Sequence, residues 1–162
     1  MKILMVCLGN ICRSPMAEGI LKQKALECGF DWTVDSAGTG GWHTGEAPHK
    51  LSQKISKQNG IDISSQKCRQ FIKNDMPEFD KIYAMDSDNY NEIRRIAGKL
   101  WDENKVDLLL NEIFPGKNKS VPDPWYANTD KAFQDTFRLI DTACNAIIKK
   151  YSNNKFFLEA VI

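Results

Sequence analysis

Ten residues near the N-terminus, Val6-Cys7-Leu8-Gly9-Asn10-Ile11-Cys12-Arg13-Ser14-Pro15, constrain this chain more than any other stretch. The run leading into them, Ile3-Leu4-Met5-Val6, is short, apolar and partly branched, which suits a strand buried on both faces of a parallel sheet. Ser14 is a favourable N-cap, and Pro15 fits a first helical position, where no N–H is required. The stretch therefore reads as strand, loop and helix start. A loop at such a junction gathers backbone N–H groups in front of the positive end of a helix dipole, which makes an anion cradle. Gly9 allows close backbone approach, and Asn10 is among the few other residues that tolerate a left-handed turn.

The rest of the chain alternates in the same way. Ala17, Ile20, Leu21, Ala25 and Cys28 recur at helical spacing, with Gly29 as a stop. Residues 32–37 read as a second strand, ending in the turn Gly38-Thr39-Gly40-Gly41. A helix is predicted over about 48–59, with Leu51 and Ile55 inward and Gly60 at its C-cap. Residues 81–85 form a third predicted strand, followed by a helix capped at Asp86-Ser87-Asp88 and carrying Ile93 and Ile96. Residues 106–110 make a fourth. Phe133, Phe137, Ile140, Cys144, Ile147 and Tyr151 then lie on one stripe of a last helix. Such alternation predicts a three-layer α/β/α fold: a four-stranded parallel sheet with right-handed crossovers and a phosphate-binding loop after the first strand. Ligands bind such sheets at the carboxyl ends of the strands, where Cys7, Ser36 and Asp86 emerge. The apolar tail, residues 156–162, is expected to pack on the sheet, on the last helix or on a partner chain.

At 162 residues the chain is expected to form one domain. A formal net charge of +1 gives no steering toward nucleic acid or membrane, and no run approaches membrane-spanning length. Five cysteines make no paired framework, so a reducing, cytoplasmic compartment and a monomer are expected, without a signal sequence.

Cys7 at the strand end and Arg13 at the helix start make the cradle chemically specific. If the residues between them curl into a ring, the sulfur lies on its floor and the guanidinium closes one side. N–H dipoles, the helix end and Arg13 favour the thiolate there. A planar guanidinium grips two phosphate oxygens while the sulfur faces phosphorus. This C-x₅-R-S arrangement resembles the phosphate-binding loop of cysteine-dependent phosphatases. Placed so near the N-terminus, it resembles the low-molecular-weight protein tyrosine phosphatase family, over roughly residues 1 to 151.

That resemblance implies a metal-independent, cofactor-free hydrolase. Its substrate would be a phosphotyrosine protein or peptide, or a small aryl phosphate, cleaved through a cysteinyl-phosphate. Leu8, Gly9, Asn10, Ile11, Cys12 and Ser14 would form the loop. A displacement by sulfur also needs an acid for the leaving oxygen, and Asp123, held between Pro122 and Pro124, matches the family's Asp-Pro followed by aromatics. Trp42, Trp125 and Tyr126 would wall the pocket with Asp86, although Asp86 equally reads as a helix cap. Ser14 could cap its helix or donate to the Cys7 sulfur. Asn10 and Ser36 resemble the family's supporting hydrogen-bond pair, with Gln66 where animal members often carry a histidine. Cys12, in the same loop as Cys7, is a candidate redox partner for it, or a small packed residue.

Two rivals share parts of this pattern. An arsenate reductase of the same fold needs a cysteine relay, but no spaced pair flanks the third strand, and Cys28 and Cys144 read as core. A non-catalytic phosphotyrosine-binding module would keep Arg13 but has no use for Cys7 together with Asp123.

Overall fold

The computed structural model describes the backbone of residues 1–159 and the side chains of residues 1–153. Four strands, β1 (Lys2–Cys7), β2 (Thr33–Gly38), β3 (Lys81–Ala84) and β4 (Val106–Leu108), form one sheet in the order β2-β1-β3-β4. Every pairing is parallel, with Cys7 opposite Gly38 at the carboxyl end. The chain leaves β1 toward one side of the sheet and returns to its other side with β3. The order therefore reverses beside β1, and a crevice opens at the ends of β1 and β3.

Alternation along β1 sorts its side chains to two faces. Ile3 and Met5 join Met16, Ile20, Leu21, Phe133, Phe137 and Ile140 under α1 (Arg13–Glu27) and α5 (Asp130–Glu159). Leu4 and Val6 join Ile82, Ala84, Phe71, Met76 and Ile93 on the other face, under α3 (Asp75–Glu78) and α4 (Ser87–Ala97). Both faces are covered, which is why the strand reads as a continuous apolar run. The remaining helix, α2 (Lys50–Gln58), packs against α1 and α5.

Several boundaries differ from the sequence expectation. Helix α1 begins at Arg13, with Cys12 as N-cap, so Ser14 does not cap it and Pro15 is its third residue. Proline is still tolerated there, because first-turn N–H groups have no intrahelical acceptor. The fourth strand stops at Leu108, and Leu109–Glu112 turn into a 3₁₀ helix. Asp107 Oδ1 accepts from Leu108 N–H and from Asn111 Nδ2, local bonds that compete with the ladder. Cys28 is exposed at the end of α1 rather than core, since it falls at the C-cap, where the stripe has already rotated outward. Cys144 is fully buried as expected. The last helix runs beyond Tyr151 to Glu159, which takes in part of the tail; the packing expected of residues 156–162 lies outside the described side chains.

Gly38 ties the sheet to the loop. A Cβ built there would sit 2.8 Å from Leu8 O and 3.0 Å from Asn10 N, both backbone atoms. Gly38→Ala is expected to push the loop out of shape and to destabilise the protein by about 1–3 kcal/mol, as overpacking does. Urea unfolding of the variant checks this; unchanged stability would mean that the loop yields freely.

Candidate active site

The strand end, the loop and the first turn of α1 enclose a small space around Cys7. The sulfur is buried, accepts from the N–H of Asn10 at 3.3 Å and lies 3.0 Å from Ser14 Oγ. Asn10 takes the left-handed conformation (φ 55°), as its residue type allows. Its side chain holds that shape. Nδ2 donates to Ser14 Oγ and Ser36 Oγ, both at 2.9 Å, and Oδ1 accepts from Arg69 N–H at 2.9 Å. The N–H groups of Gly9, Ile11 and Cys12 find no acceptor among the described residues, as an anion cradle requires.

Arg13 is buried behind the loop. Nη1 donates to Asp86 Oδ2 at 2.6 Å and to Val121 O at 3.1 Å, and Nη2 donates to Asp123 Oδ2 at 3.0 Å. Its buried Nε has no partner among the described residues. Burial alone would lower its pKa, but Cys7, Asp123 and Asp86 together raise it. Asp86 is the helix cap that its position allows and has a second duty besides: Oδ1 caps α4 through Asn89 N–H at 2.7 Å, and Oδ2 holds Arg13. Through Arg13, which lines the cavity, it stands one side chain away from the floor of the site.

Asp123 reaches the site on a tethered loop. Val121 N–H donates to Met85 O at 2.7 Å, and the carbonyl of the same residue accepts from Arg13. Asp123 Oδ1 in turn accepts from Trp125 N–H at 3.1 Å. The resulting cavity, about 220 Å³, is lined by Cys7, Leu8, Gly9, Ile11, Cys12 and Arg13 below and by Trp42, His43, Asp123, Trp125 and Tyr126 above. Trp42 and Tyr126 are 71% and 82% exposed, so they form a rim rather than a wall. No group of three or more His, Cys, Asp or Glu side chains that could hold a metal occurs among the described residues.

Several neighbours were not anticipated. Cys68 donates its thiol to Asn10 O at 2.7 Å, and burial, then Cys7 and Glu46, push it up to about 11. Cys12 is pushed up to about 12, again by burial first and then by Cys7 and Asp123. His43, beside Trp42, pairs with Glu46 at 2.9 Å on the pocket lip. Glu18, four residues after Ser14 and so on the same face of α1, accepts from the Ser36 hydroxyl at 2.6 Å. Gln66 stands outside this set: it donates to Pro15 O at 3.2 Å, and its buried Oε1 has no partner among the described residues.

The comparisons agree with this geometry. The family model for low molecular weight phosphotyrosine protein phosphatases matches residues 2–156, slightly further than the resemblance reached in sequence. The low molecular weight protein-tyrosine-phosphatase YfkJ of Bacillus subtilis is 37% identical over 155 residues, covering 94% of this chain and 97% of that protein. Its crystal structure superposes with a TM-score of 0.85 over 96% of each chain. Vibrio vulnificus Wzb in complex with benzylphosphonate is 30% identical, with a TM-score of 0.81 over 92% of this chain and 97% of that one. DARP, a Drosophila arginine phosphatase, is 34% identical, with a TM-score of 0.86 over 93% and 98%. The chain belongs to the low molecular weight phosphotyrosine protein phosphatase family.

His49 joins three parts of the site. Its N–H donates to Ile11 O at 2.7 Å, its Nδ1 caps α2 by accepting from Leu51 N–H at 3.2 Å, and its ring stacks on Phe133 and meets the edge of Trp125. Burial lowers its pKa below the ordinary 6.5. The unfolded chain therefore takes the proton first, so His49's contribution to stability is complete above about 6.5 and is lost as pH falls through the folded value. His49→Asn keeps a capping side chain that does not titrate. Stability measured against pH should lose part of its acid-side slope in the variant; an unchanged slope would remove His49 as its source.

Proposed function

We propose that this protein hydrolyses phosphotyrosine monoesters of proteins, peptides or small aryl phosphates, without a metal or cofactor. The observation that carries the reading is the meeting, in one cavity, of the Cys7 sulfur, the Asp123 carboxylate and an Arg13 whose buried Nε has no partner among the described residues. A phosphate above the sulfur takes Nε and Nη2 of Arg13 together with the spare N–H groups of the loop. Nη2 then leaves Asp123, whose carboxyl turns to the leaving oxygen. Family membership and the benzylphosphonate held by Wzb support an aryl group over the apolar edge made by Leu8, Ile11 and Trp125.

The reaction proceeds in two steps. Asp123, no longer paired with Arg13, takes up a proton from solvent; the Cys7 thiolate attacks phosphorus, the P–O bond to the phenol breaks, and that proton goes to the phenolate oxygen. Loop N–H groups and Arg13 hold the equatorial oxygens throughout. Ionised Asp123 then takes a proton from water, whose oxygen attacks phosphorus. The S–P bond breaks, phosphate leaves and the thiolate returns. Ser14 Oγ donates to the sulfur as it departs. Among the described residues no helix is long and apolar enough to cross a membrane. With five free cysteines, one of them the nucleophile, we read the protein as a single-domain cytoplasmic monomer that requires a reducing compartment.

Asp123 has a decisive test. A tyrosine-like phenol, of pKa roughly 10, leaves poorly without a proton, whereas a nitrophenol does not need one. In single-turnover release, Asp123→Asn should slow phosphotyrosine cleavage by about 10²–10⁴-fold and the nitrophenyl ester far less. Cys7→Ser should abolish both, and phosphoarginine should be a poor substrate of the parent. Equal slowing of the two esters would make Asp123 a loop-shaping residue; faster turnover of phosphoarginine would reassign the substrate.

Cys12 completes the proposed chemistry as a redox partner. Peroxide converts the Cys7 thiolate to a sulfenic acid. The Cys12 thiol condenses with it, forming an S–S bond and releasing water, before further oxidation is reached. Peroxide inactivation of the parent should be reversed by a thiol reductant, and much less so in Cys12→Ser. Equal recovery in both would leave Cys12 a packing residue.

A further inference from the structure

Glu18 is buried on α1 and takes no part in the chemistry above, yet it closes a chain of hydrogen bonds that ends at the nucleophile. Ser36 Oγ donates to Glu18 Oε2 at 2.6 Å while accepting from Asn10 Nδ2 at 2.9 Å. The same Nδ2 donates to Ser14 Oγ at 2.9 Å. Ser14 Oγ lies 3.0 Å from Cys7 Sγ.

Each hydroxyl has a single proton, so the direction of the chain is fixed from its far end. A carboxylate can only accept, so the Ser36 proton is committed to Glu18 and Ser36 faces Asn10 as an acceptor. The Asn10 amide must then present Nδ2 to both serines, the orientation that also places Oδ1 to accept from Arg69 N–H. Ser14 thereby accepts from Asn10, and its own proton is left for the sulfur. Its other acceptor in reach, Ala37 O, is more distant at 3.4 Å. The surroundings keep Glu18 in place. Lys22 on α1 donates to Oε1 at 3.1 Å, and Asp35 on β2, itself paired with Arg69, is a like charge acting on it. Burial pushes the Glu18 carboxyl up, with Ser36 and Lys22 opposing.

We infer that Glu18 is a positioning residue for the nucleophile, orienting Ser36, Asn10 and Ser14 so that the Ser14 hydroxyl proton is directed to the Cys7 sulfur. This deepens the phosphatase reading and rests on Cys7 as its nucleophile. The acceptor oxygen is what matters, so Glu18→Gln, which keeps one, should behave differently from Glu18→Ala.

The test reads Cys7 directly. Alkylation by iodoacetamide near neutral pH is followed by peptide mass mapping, which separates Cys7 from the exposed Cys28. Glu18→Ala should slow Cys7 alkylation by about three- to tenfold, the effect of weakening one hydrogen bond to the sulfur rather than removing it. The value of kcat should fall by the same factor, with KM held within about twofold. Glu18→Gln should restore both to within about twofold of the parent, and Ser36→Ala should reproduce Glu18→Ala without adding to it in the double variant. Thermal unfolding normalises each rate to folded protein, and Ser36→Ala carries the test if Glu18→Ala does not fold. Unchanged alkylation in Glu18→Ala, a Glu18→Gln as slow as Glu18→Ala, or full additivity with Ser36→Ala would each overturn the assignment. Alkylation needs no turnover, so this readout stands or fails separately from the identity of the substrate.

Discussion

The buried guanidinium of Arg13 is the interaction on which the rest of the site depends. A cation taken out of water is tolerated only with compensating charge and hydrogen bonds around it. Here those come from two parts of the chain: Asp86 at the start of α4, and one loop that supplies both the carbonyl of Val121 and the carboxylate of Asp123. Each bond therefore does two things. It offsets the desolvation of Arg13, and it fixes an otherwise independent segment relative to the β1 loop. Removing either carboxylate would leave a buried charge short of partners and release the element that carried it.

The loop itself is held from behind. Asn10 bends the backbone through a left-handed residue, and its amide, N–H and carbonyl are all engaged, by Ser14, Ser36, Arg69, Cys7 and Cys68. A loop so fully bonded on its inner side has little freedom to collapse onto its own spare N–H groups. Those groups remain available for an anion without reorganisation, and preorganisation of this kind is the main electrostatic resource of an enzyme. Gly38 makes the same point sterically, since the end of β2 touches loop backbone with no room for a methyl group.

Much of this was legible in the sequence, and the exceptions share a cause. The strand–loop–helix grammar of residues 3–15, the alternation of elements and the Pro-Asp-Pro loop are local patterns, and local patterns survive in a linear reading. The sheet and the cradle followed from them; Asp123 was singled out by the acid that the Cys7 chemistry needs and by the family resemblance, since Pro-Asp-Pro alone reads as a turn. What was missed depends on contacts between distant segments. Cys68 reaches Asn10 across 58 positions, His49 reaches Trp125 and Phe133, and short α3 is held in the second core by Met76. Ser14 stood open between a cap and a donor to the Cys7 sulfur, because local sequence fits both; Cys12 takes the cap position, and the Ser14 hydroxyl is used by Cys7 and Asn10. Leu109 and Leu110 looked like strand because a buried apolar run is ambiguous in period. Gln66 was placed in the supporting network by position alone; its amide turns to Pro15, and Glu18 supplies the acceptor to Ser36.

The bond between Asp123 and Arg13 has a consequence for what can bind here. Nη2 of Arg13, a donor that suits phosphate, already has a carboxylate on it, held in reach by the two prolines and the Val121 anchors. That carboxylate acts as a tethered ligand, and its effective concentration is set by the fold rather than by the solution. An incoming oxyanion is therefore an exchange partner that must outcompete it, and weak anions such as chloride or acetate meet a screen built into the protein. A phosphate ester passes the screen by occupying Nε and several N–H groups at once. In the proposed reaction the freed carboxyl is delivered beside the leaving oxygen in the same exchange, which makes recognition of the anion and release of the acid one event.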